Sequence, residues 1–236
     1  MAGDDAHRGP FGVDILGAPS GRARPVGPSR WGTAGTAQPF EGGLVVEVSG
    51  RPPLLISGRL LRLYERCRGT LGFPLTGALR TVTALPGEPL LGHDYQLFEG
   101  PGAACRTAGL PACGAIGVAA DGAAAAVAVS GPIWAGYCEA GGFDGRLGFP
   151  VDAARVRAAR ALQEFQGGVL LWSEEHGAHT VSGAIWDRIG GGPGLDEVGW
   201  PVAGQRPSPD DPFAYQQEFE HGIATVRDGI ARFWRS

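Results

Sequence analysis

The residues of this sequence that could act chemically on a ligand are four titratable side chains. Asp144 and Asp196 lie in glycine-rich loops, and Glu174 and His179 flank the turn sequence Glu-His-Gly-Ala. A loop carboxyl group beside aromatic side chains can protonate an alkene or a carbonyl group, and a histidine can act as a base. These four residues are the candidate catalytic residues, and no catalytic triad or nucleophile motif accompanies them.

A second set of candidates consists of aromatic residues. Because an aromatic face packs well against the apolar C–H face of a sugar or against a polyene chain, exposed rings indicate a binding platform. Trp172 follows a break in strand alternation, which favours exposure. Trp186 occupies a position where an equivalent segment has Leu61, and this apolar substitute favours a core role. The candidate ligand-binding residues are Trp134, Tyr137, Phe149, Trp172 and Trp200.

Composition and motif spacing exclude several kinds of site. His176 and His179 form an HxxH pair, but no third ligand follows at a suitable spacing, so hydrogen bonding at a hairpin tip is favoured over a metal site. All 20 basic residues are arginine, which excludes Schiff-base chemistry and a P-loop lysine. The glycine run 190–192 follows no parallel strand and contains no GxGxxG pattern. We expect no metal and no cofactor, and the net charge of −4 argues against nucleic acid as a partner.

The candidate residues belong to a sequence that repeats about every 50 to 60 residues, which indicates a modular array. The repeated features are a Gln-x-Phe motif and a tetrapeptide close to Leu-Gly-Phe-Pro, here called the LGxP motif, which each occur four times, and a Ser-Gly pair, which occurs in three of the repeats. The Gln-x-Phe motifs begin at Gln38, Gln96, Gln163 and Gln217; the Ser-Gly pairs begin at Ser57, Ser130 and Ser182; and the LGxP motifs begin at Leu16, Leu71, Leu147 and Val198.

Short apolar runs broken by turn residues lie between Gln-x-Phe and Ser-Gly, so each repeat is predicted to be a β-hairpin, a short helix and an LGxP loop. Residues 101–113 are predicted to be a surface insertion, and residues 152–162 to be a helix with its arginines outward. The predicted fold is mainly β with short helices, closed into a pseudo-symmetric propeller-like ring. The N-terminal segment 1–37 would close this ring, and the predicted units are 38–95, 96–162, 163–216 and 217–236.

The Gln-x-Phe motif, the segment GAHTVSGAIW, the glycine-rich loop and the LGxP motif together resemble the LGFP repeat family of actinobacterial proteins. The resemblance covers about residues 38–234 and is most specific in the third repeat. In that family the repeats are often attached to cell-wall enzymes such as amidases and mycolyltransferases. The resemblance therefore implies a cell-envelope location and docking onto wall polysaccharide.

Two functions follow from these observations. The first is a ligand-binding repeat protein that recognises a cell-wall glycan or a similar carbohydrate through aromatic and acidic loop residues. The alternative is a cofactor-independent intracellular cyclase or lyase that acts on an apolar metabolite in the central cavity of the ring, with a loop carboxyl group as general acid. The N-terminal segment lacks the apolar run of a secretory signal, so the sequence itself predicts a cytoplasmic protein. We also expect no membrane span and a monomer.

Overall fold

The computed structural model describes residues 16–83, 91–100, 114–123, 125–191 and 194–236. The chain divides into two compact units, Met1–Gly131 and Pro132–Ser236. In the described ranges, each unit contains two four-stranded antiparallel sheets whose strands follow one another in sequence order. The prediction of a mainly β fold with short helices is confirmed. The predicted insertion 101–113 and the first fifteen residues of the N-terminal segment lie outside the described residues.

The first unit contains two sheets with one long helix between them in sequence. Its first sheet is β1 (Arg24–Val26), β2 (Gly35–Phe40), β3 (Gly43–Val48) and β4 (Leu54–Ser57), and helix α1 (Gly58–Leu71) follows directly. The second sheet is β5 (Leu79–Thr83), β6 (Leu91–Phe98), β7 (Ala115–Ala120) and β8 (Val127–Val129).

The second unit begins with helix α2 (Pro132–Glu139) and a short 3₁₀ turn, Gly142–Asp144. Its first sheet is β9 (Arg155–Arg157), β10 (Arg160–Phe165), β11 (Gly168–Ser173) and β12 (Gly177–Val181). Helices α3 (Gly183–Ile189) and α4 (Leu195–Val198) lead to the last sheet, which is β13 (Arg206–Pro207), β14 (Ala214–Phe219), β15 (Gly222–Arg227) and β16 (Ile230–Arg235).

The predicted hairpins form the third and fourth strands of each sheet. The second strand, which ends with the Gln-x-Phe motif, joins the third through a further tight turn, where Phe165 pairs with Gly168 and Phe40 with Gly43. Each sheet also has a short first strand, which follows an LGxP motif, and its fourth strand precedes a Ser-Gly pair or, in the last sheet, forms β16. A structural repeat therefore starts at the LGxP motif, ahead of Gln-x-Phe.

The predicted helix over residues 152–162 is wrong, because this segment forms β9 and the first part of β10. The residues Ala158 and Ala159 turn the chain between the two strands, and Ala158 adopts a left-handed backbone with φ 48°. Alanine and arginine favour helices intrinsically, but Leu162 pairs with Leu171 of β11 and Arg155 pairs with Leu162. The cross-strand hydrogen bonds and apolar burial of the sheet override the local preference.

For residues 179–201 the sequence predicts the end of a strand, a short helix that begins after Ser182 with Ile185 and Ile189 on one face, and a glycine loop, and the structure agrees. Ser182 occupies the N-cap position of α3 with an extended backbone, although its side chain makes no capping hydrogen bond. Gly190 ends the helix in the left-handed conformation, with φ 74°. Ile185 and Ile189 point from α3 into the core of the second unit, where both are buried. The four-residue spacing read from the sequence therefore identifies the buried face of the helix.

Candidate functional site

In each repeat, a hydrogen bond and a β-bridge join the LGxP motif to the Gln-x-Phe motif. The N–H of the third LGxP residue donates to the side-chain oxygen of the residue that follows Gln-x-Phe, and the LGxP proline forms a β-bridge with the motif's phenylalanine. Four such hydrogen bonds occur: Ala18 to Glu41 at 3.3 Å, Phe73 to Glu99 at 2.9 Å, Phe149 to Gln166 at 3.0 Å and Trp200 to Glu220 at 3.0 Å. The degenerate LGAP at Leu16 is thus a true repeat element.

The motif glutamine anchors the same loop from the other side. Gln217 Nε2 donates to the carbonyl oxygens of Ala203 and Thr180, each at 3.1 Å. Gln96 Nε2 likewise donates to Thr76 at 2.7 Å and to Leu55 at 3.2 Å. Both glutamine side chains are fully buried. The motif glutamines therefore have a structural role, and a ligand site has to be sought among other residues.

A groove of about 580 Å³ in the second unit brings such residues together. We call it the β9–α4 groove. One wall comes from the β9–β10 hairpin, and the opposite wall comes from α4 and the third LGxP residue. The first wall contributes Arg155, Val156, Arg157, Arg160 and Leu162, and the second contributes Leu195, Asp196 and Trp200. Two predicted site residues, Asp196 and Trp200, thus lie in one groove.

The arginines of this groove differ in their partners. The Arg160 guanidinium lies 2.7 Å from Glu220 Oε1, and its Cζ lies 5.2 Å from the centre of the Trp200 ring. Arg155 makes longer ion pairs to Asp152 at 3.3 Å and to Glu164 at 3.4 Å. Arg157 is exposed and forms no ion pair within the described ranges. The groove therefore offers an aromatic ring, apolar side chains, one carboxylate and an unpaired guanidinium.

A cluster of Glu175, His176 and Glu220 adjoins the groove and contains ligand types that metal ions accept. His176 Nε2 lies 3.9 Å from Glu175 and 3.8 Å from Glu220 Oε1. Both oxygens of Glu220 are already engaged, one by Arg160 and the other by the Trp200 N–H. A cation here would have to displace a guanidinium, so the cluster fits an ion-pair network better than a metal centre. Glu220 was missed in the sequence, although its place after Gln-x-Phe was visible.

The remaining candidate catalytic residues lie elsewhere in the second unit. Asp144 is exposed at the end of the 3₁₀ turn, and Glu174 is exposed in the turn between β11 and β12. His179 is half-buried on β12, and its Nε2 donates to the carbonyl oxygen of His176 at 2.8 Å. None of these three side chains belongs to the described lining of the β9–α4 groove. The hairpin-tip hydrogen bond favoured for His179 is present.

Three of the aromatic candidates are core residues. Trp134, Tyr137 and Phe149 are 2%, 1% and 0% exposed, which leaves them no surface for a ligand. The Tyr137 hydroxyl donates to the Gly148 carbonyl oxygen at 3.0 Å, and its ring stacks on Phe165 with centroids 5.0 Å apart. The three rings are part of the protein core, so we exclude these residues as ligand contacts.

Trp172 is half-buried on β11 and does not line the β9–α4 groove. It lies opposite Ala178 of β12, which approaches α2 so closely that a Cβ at Gly136 would collide with the Ala178 side chain. Of the five predicted platform residues, Trp200 alone lies in a described cavity large enough for a sugar ring. The sequence favoured exposure for Trp172 and a core role for Trp186, but both side chains are half-buried.

Comparison with known proteins supports the repeat assignment. The model of the LGFP repeat family matches residues 147–190, a segment that contains one LGxP motif, the sheet β9–β12 and α3. The predicted resemblance is confirmed over this segment, which is an LGFP repeat. Among curated proteins, none matches the chain. Within the described ranges, no helix combines the length and apolar character needed to cross a membrane.

Proposed function

We propose that this protein is a ligand-binding repeat protein that recognises a cell-wall glycan or a similar carbohydrate in the β9–α4 groove. The observation that carries the proposal is the presence of an aromatic ring, Trp200, and a carboxylate, Asp196, in one groove flanked by arginines. Sugars present C–H faces that pack on aromatic rings, and hydroxyl groups that bind carboxylates and guanidinium groups.

The contacts of Trp200 support a preorganised platform. Its backbone N–H is bound to Glu220, and Glu220 also binds Arg160, whose guanidinium lies over the Trp200 ring. This chain of contacts holds the ring and one guanidinium in position before a ligand arrives. Because a guanidinium has five N–H donors and the contact with Glu220 uses only part of them, Arg160 retains donors for sugar hydroxyls.

The family resemblance supports the same class of ligand. LGFP repeats are associated with cell-envelope proteins, and the matched segment supplies the arginine wall of the groove. The cyclase or lyase alternative stays a prediction, for which Asp196 is the candidate acid that shares a groove with an aromatic ring. The closure of the repeats into a propeller-like ring, completed by residues 1–37, also stays a prediction.

Binding to insoluble cell-wall polysaccharide tests the proposed function. The wild-type chain is expected to sediment with the polysaccharide, and Trp200→Ala is expected to remain mostly in the supernatant because the apolar platform is lost. Phe213→Ala is the matched control, since Phe213 is 82% exposed in the same unit and does not line the groove. Equal sedimentation of both variants would remove the β9–α4 groove as the binding site.

A further inference from the structure

We infer that the first unit contains a second copy of the β9–α4 groove, and that each copy binds an acidic glycan whose sugars carry carboxylate or phosphate groups. The inference rests on the proposed function and makes it more specific in two respects. It fixes the number of binding sites at two, one in each unit, and it gives the sign of the ligand's charge.

The second groove is a cavity of about 520 Å³ in the first unit. We call it the β1–α1 groove. One wall comes from β1 and the turn that follows it, including Arg24 and Arg30. The other wall comes from the end of α1 and the next LGxP motif, including Gly69 and Phe73. Both grooves are therefore built from the first strand of a sheet and from the helix and LGxP motif that follow the same sheet.

Strand register shows that the arginine walls are equivalent. Arg24 pairs with Ala37, the residue before Gln38, and Arg155 pairs with Leu162, the residue before Gln163. The two arginines therefore occupy one position of the repeat. A ligand of the β9–α4 groove would contact Arg155, and a ligand of the β1–α1 groove would contact Arg24 at the equivalent position.

The opposite walls are equivalent as well. Gly69 and Asp196 each lie two residues before an LGxP motif, and Phe73 and Trp200 are each the third residue of that motif. The aromatic residue is buried in the first unit and half-buried in the second. The grooves thus share their construction, while the β9–α4 groove exposes more aromatic surface and adds one carboxylate.

The charge of the two linings identifies the ligand class. The β1–α1 groove is lined by two arginines and no acidic residue, and the β9–α4 groove by three arginines and one acidic residue. Arg155 and Arg160 are paired with carboxylates beside the β9–α4 groove, so the positive charge that remains available to a ligand in that groove comes from Arg157. Within the described part of the chain, Arg24, Arg30 and Arg157 form no ion pair.

Unpaired guanidinium groups bind carboxylates and phosphates in a bidentate manner, and these bonds are stronger than those to neutral hydroxyl groups. A neutral glycan would leave these cations without an anionic partner. Leu79 pairs with Tyr95 before Gln96 and so occupies the equivalent position in the second sheet. In the fourth sheet Arg206 pairs with Gln216 before Gln217, and it forms an ion pair with Glu218 as Arg155 does with Glu164. The fold therefore accepts leucine or arginine at this position, and Arg24, which forms no ion pair within the described residues, is the arginine available to a ligand here.

Titration calorimetry on the full chain tests the inference with defined probes. The acidic probes are a hyaluronan hexasaccharide, which carries carboxylates, and a phosphorylated mannopentaose; the neutral probes are chitohexaose and unmodified mannopentaose. We expect two equivalents of at least one acidic probe to bind. Its affinity is expected to be at least about tenfold above that of its neutral counterpart, because each charge-assisted hydrogen bond increases the affinity by about tenfold. The acidic probe that binds identifies the anionic group.

Two charge-reversal variants assign the sites. Arg24→Glu with Arg30→Glu is expected to abolish one equivalent, and Arg155→Glu with Arg157→Glu the other. The matched control is Arg51→Glu with Arg62→Glu, which makes the same change in net charge at exposed positions outside both grooves and should leave two equivalents. Among these six arginines, Arg155 is the one that forms ion pairs within the described residues, so unfolding temperatures are expected to change little.

The outcomes separate this inference from the proposed function. A single equivalent that disappears only with the Arg155 and Arg157 changes would leave glycan binding intact and overturn the second site. Equal affinity for acidic and neutral probes, or for a single-stranded oligonucleotide, would overturn the acidic glycan as ligand. Sedimentation with wall polysaccharide in the absence of binding to either acidic probe would support the proposed function and contradict the inference.

Discussion

Glu220 contacts two residues of the β9–α4 groove, Trp200 and Arg160, and it also joins the LGxP motif to the Gln-x-Phe motif. Its carboxylate accepts a hydrogen bond from the Trp200 N–H at 3.0 Å and pairs with Arg160 at 2.7 Å. In the preceding repeat, Gln166 accepts the equivalent bond from Phe149 without carrying a charge. The repeat therefore requires a side-chain oxygen at this position, and the negative charge of Glu220 additionally pairs with Arg160, whose guanidinium lies over Trp200.

Substitution of Glu220 separates these two roles. Glu220→Gln keeps the acceptor and is expected to lower the free energy of unfolding by less than about 1 kcal/mol, since the lost pair is partly exposed. Glu220→Ala also loses the acceptor for a backbone N–H and is expected to cost about 1–3 kcal/mol. Urea denaturation measures both, with Glu175→Gln as an exposed control. Equal losses for Gln and Ala would contradict a distinct role for the hydrogen bond.

Equivalent tryptophans of the repeats are expected to differ in their contribution to stability. Trp134 is 2% exposed, whereas Trp186 is half-buried beside the core of the second unit. Trp134→Ala is expected to cost about 3–5 kcal/mol, and Trp186→Ala less, because a partly open site loses less burial and leaves less of a cavity. Chemical denaturation compares them, with Phe213→Ala near zero. A larger loss for Trp186 would show that exposure does not rank these sites.

At the level of elements, the LGxP motif is a turn whose second residue must be glycine. Gly148 has φ 64°, and a Cβ there would lie 2.7 Å from Gln166 Oε1, the atom that accepts the Phe149 N–H. Gly17, Gly72 and Gly199 have the same sign of φ in the other copies. The motif glycine thus provides both the left-handed backbone and the space for the hydrogen bond that joins LGxP to Gln-x-Phe.

Gly148→Ala is therefore expected to be more destabilising than a glycine substitution that introduces strain alone. Gly177 supplies the control, since it has φ 75° and an added Cβ there would meet no heavy atom within 4 Å. Gly177→Ala is expected to cost about 1–2 kcal/mol from the left-handed backbone, and Gly148→Ala more because Gln166 must move. Urea midpoints of the two variants provide the measurement, and equal midpoints would exclude the steric contribution.

The sequence predicted the hairpins of the third and fourth strands and α3 because their signals are local: turn residues between apolar runs, and isoleucines four residues apart. It did not predict β9, since the segment from Asp152 to Leu162 is rich in alanine and arginine and forms a strand only by pairing with its neighbours. It identified Asp196 and Trp200 separately. Their position opposite Arg155 and Arg160 depends on strand register and on the loop between sheets, which no local pattern specifies.

One motif position also has two environments that sequence alone does not distinguish. Phe149 is fully buried and stacks on Phe143 with centroids 5.1 Å apart, whereas Trp200, its equivalent, is half-buried in the groove. The difference comes from the 3₁₀ turn that places Phe143 beside Phe149. Residue type and repeat position predict that the site is aromatic, and the local packing decides whether the ring meets a ligand.

At the scale of the whole molecule, the N-terminal LGAP has contacts that bear on the ring hypothesis. Leu16 is buried, Pro19 forms a bridge with Phe40, and Ala18 donates to Glu41. Deleting residues 1–30 would therefore loosen the first sheet in either a closed or an open array, because β1 and these contacts are lost. Global stability alone does not distinguish the two arrangements.

Hydrogen exchange after this deletion makes the distinction. If residues 1–37 complete the last repeat, the deletion is expected to increase exchange at the amides of β15 and β16 as well as in β2 and β3, since a closing contact would protect the C-terminal hairpin. Glu41→Ala, which removes only the acceptor for the Ala18 N–H, serves as the local control and should affect the first sheet alone. Unchanged exchange in β15 and β16 after the deletion would contradict closure by the N-terminal segment and favour an open array.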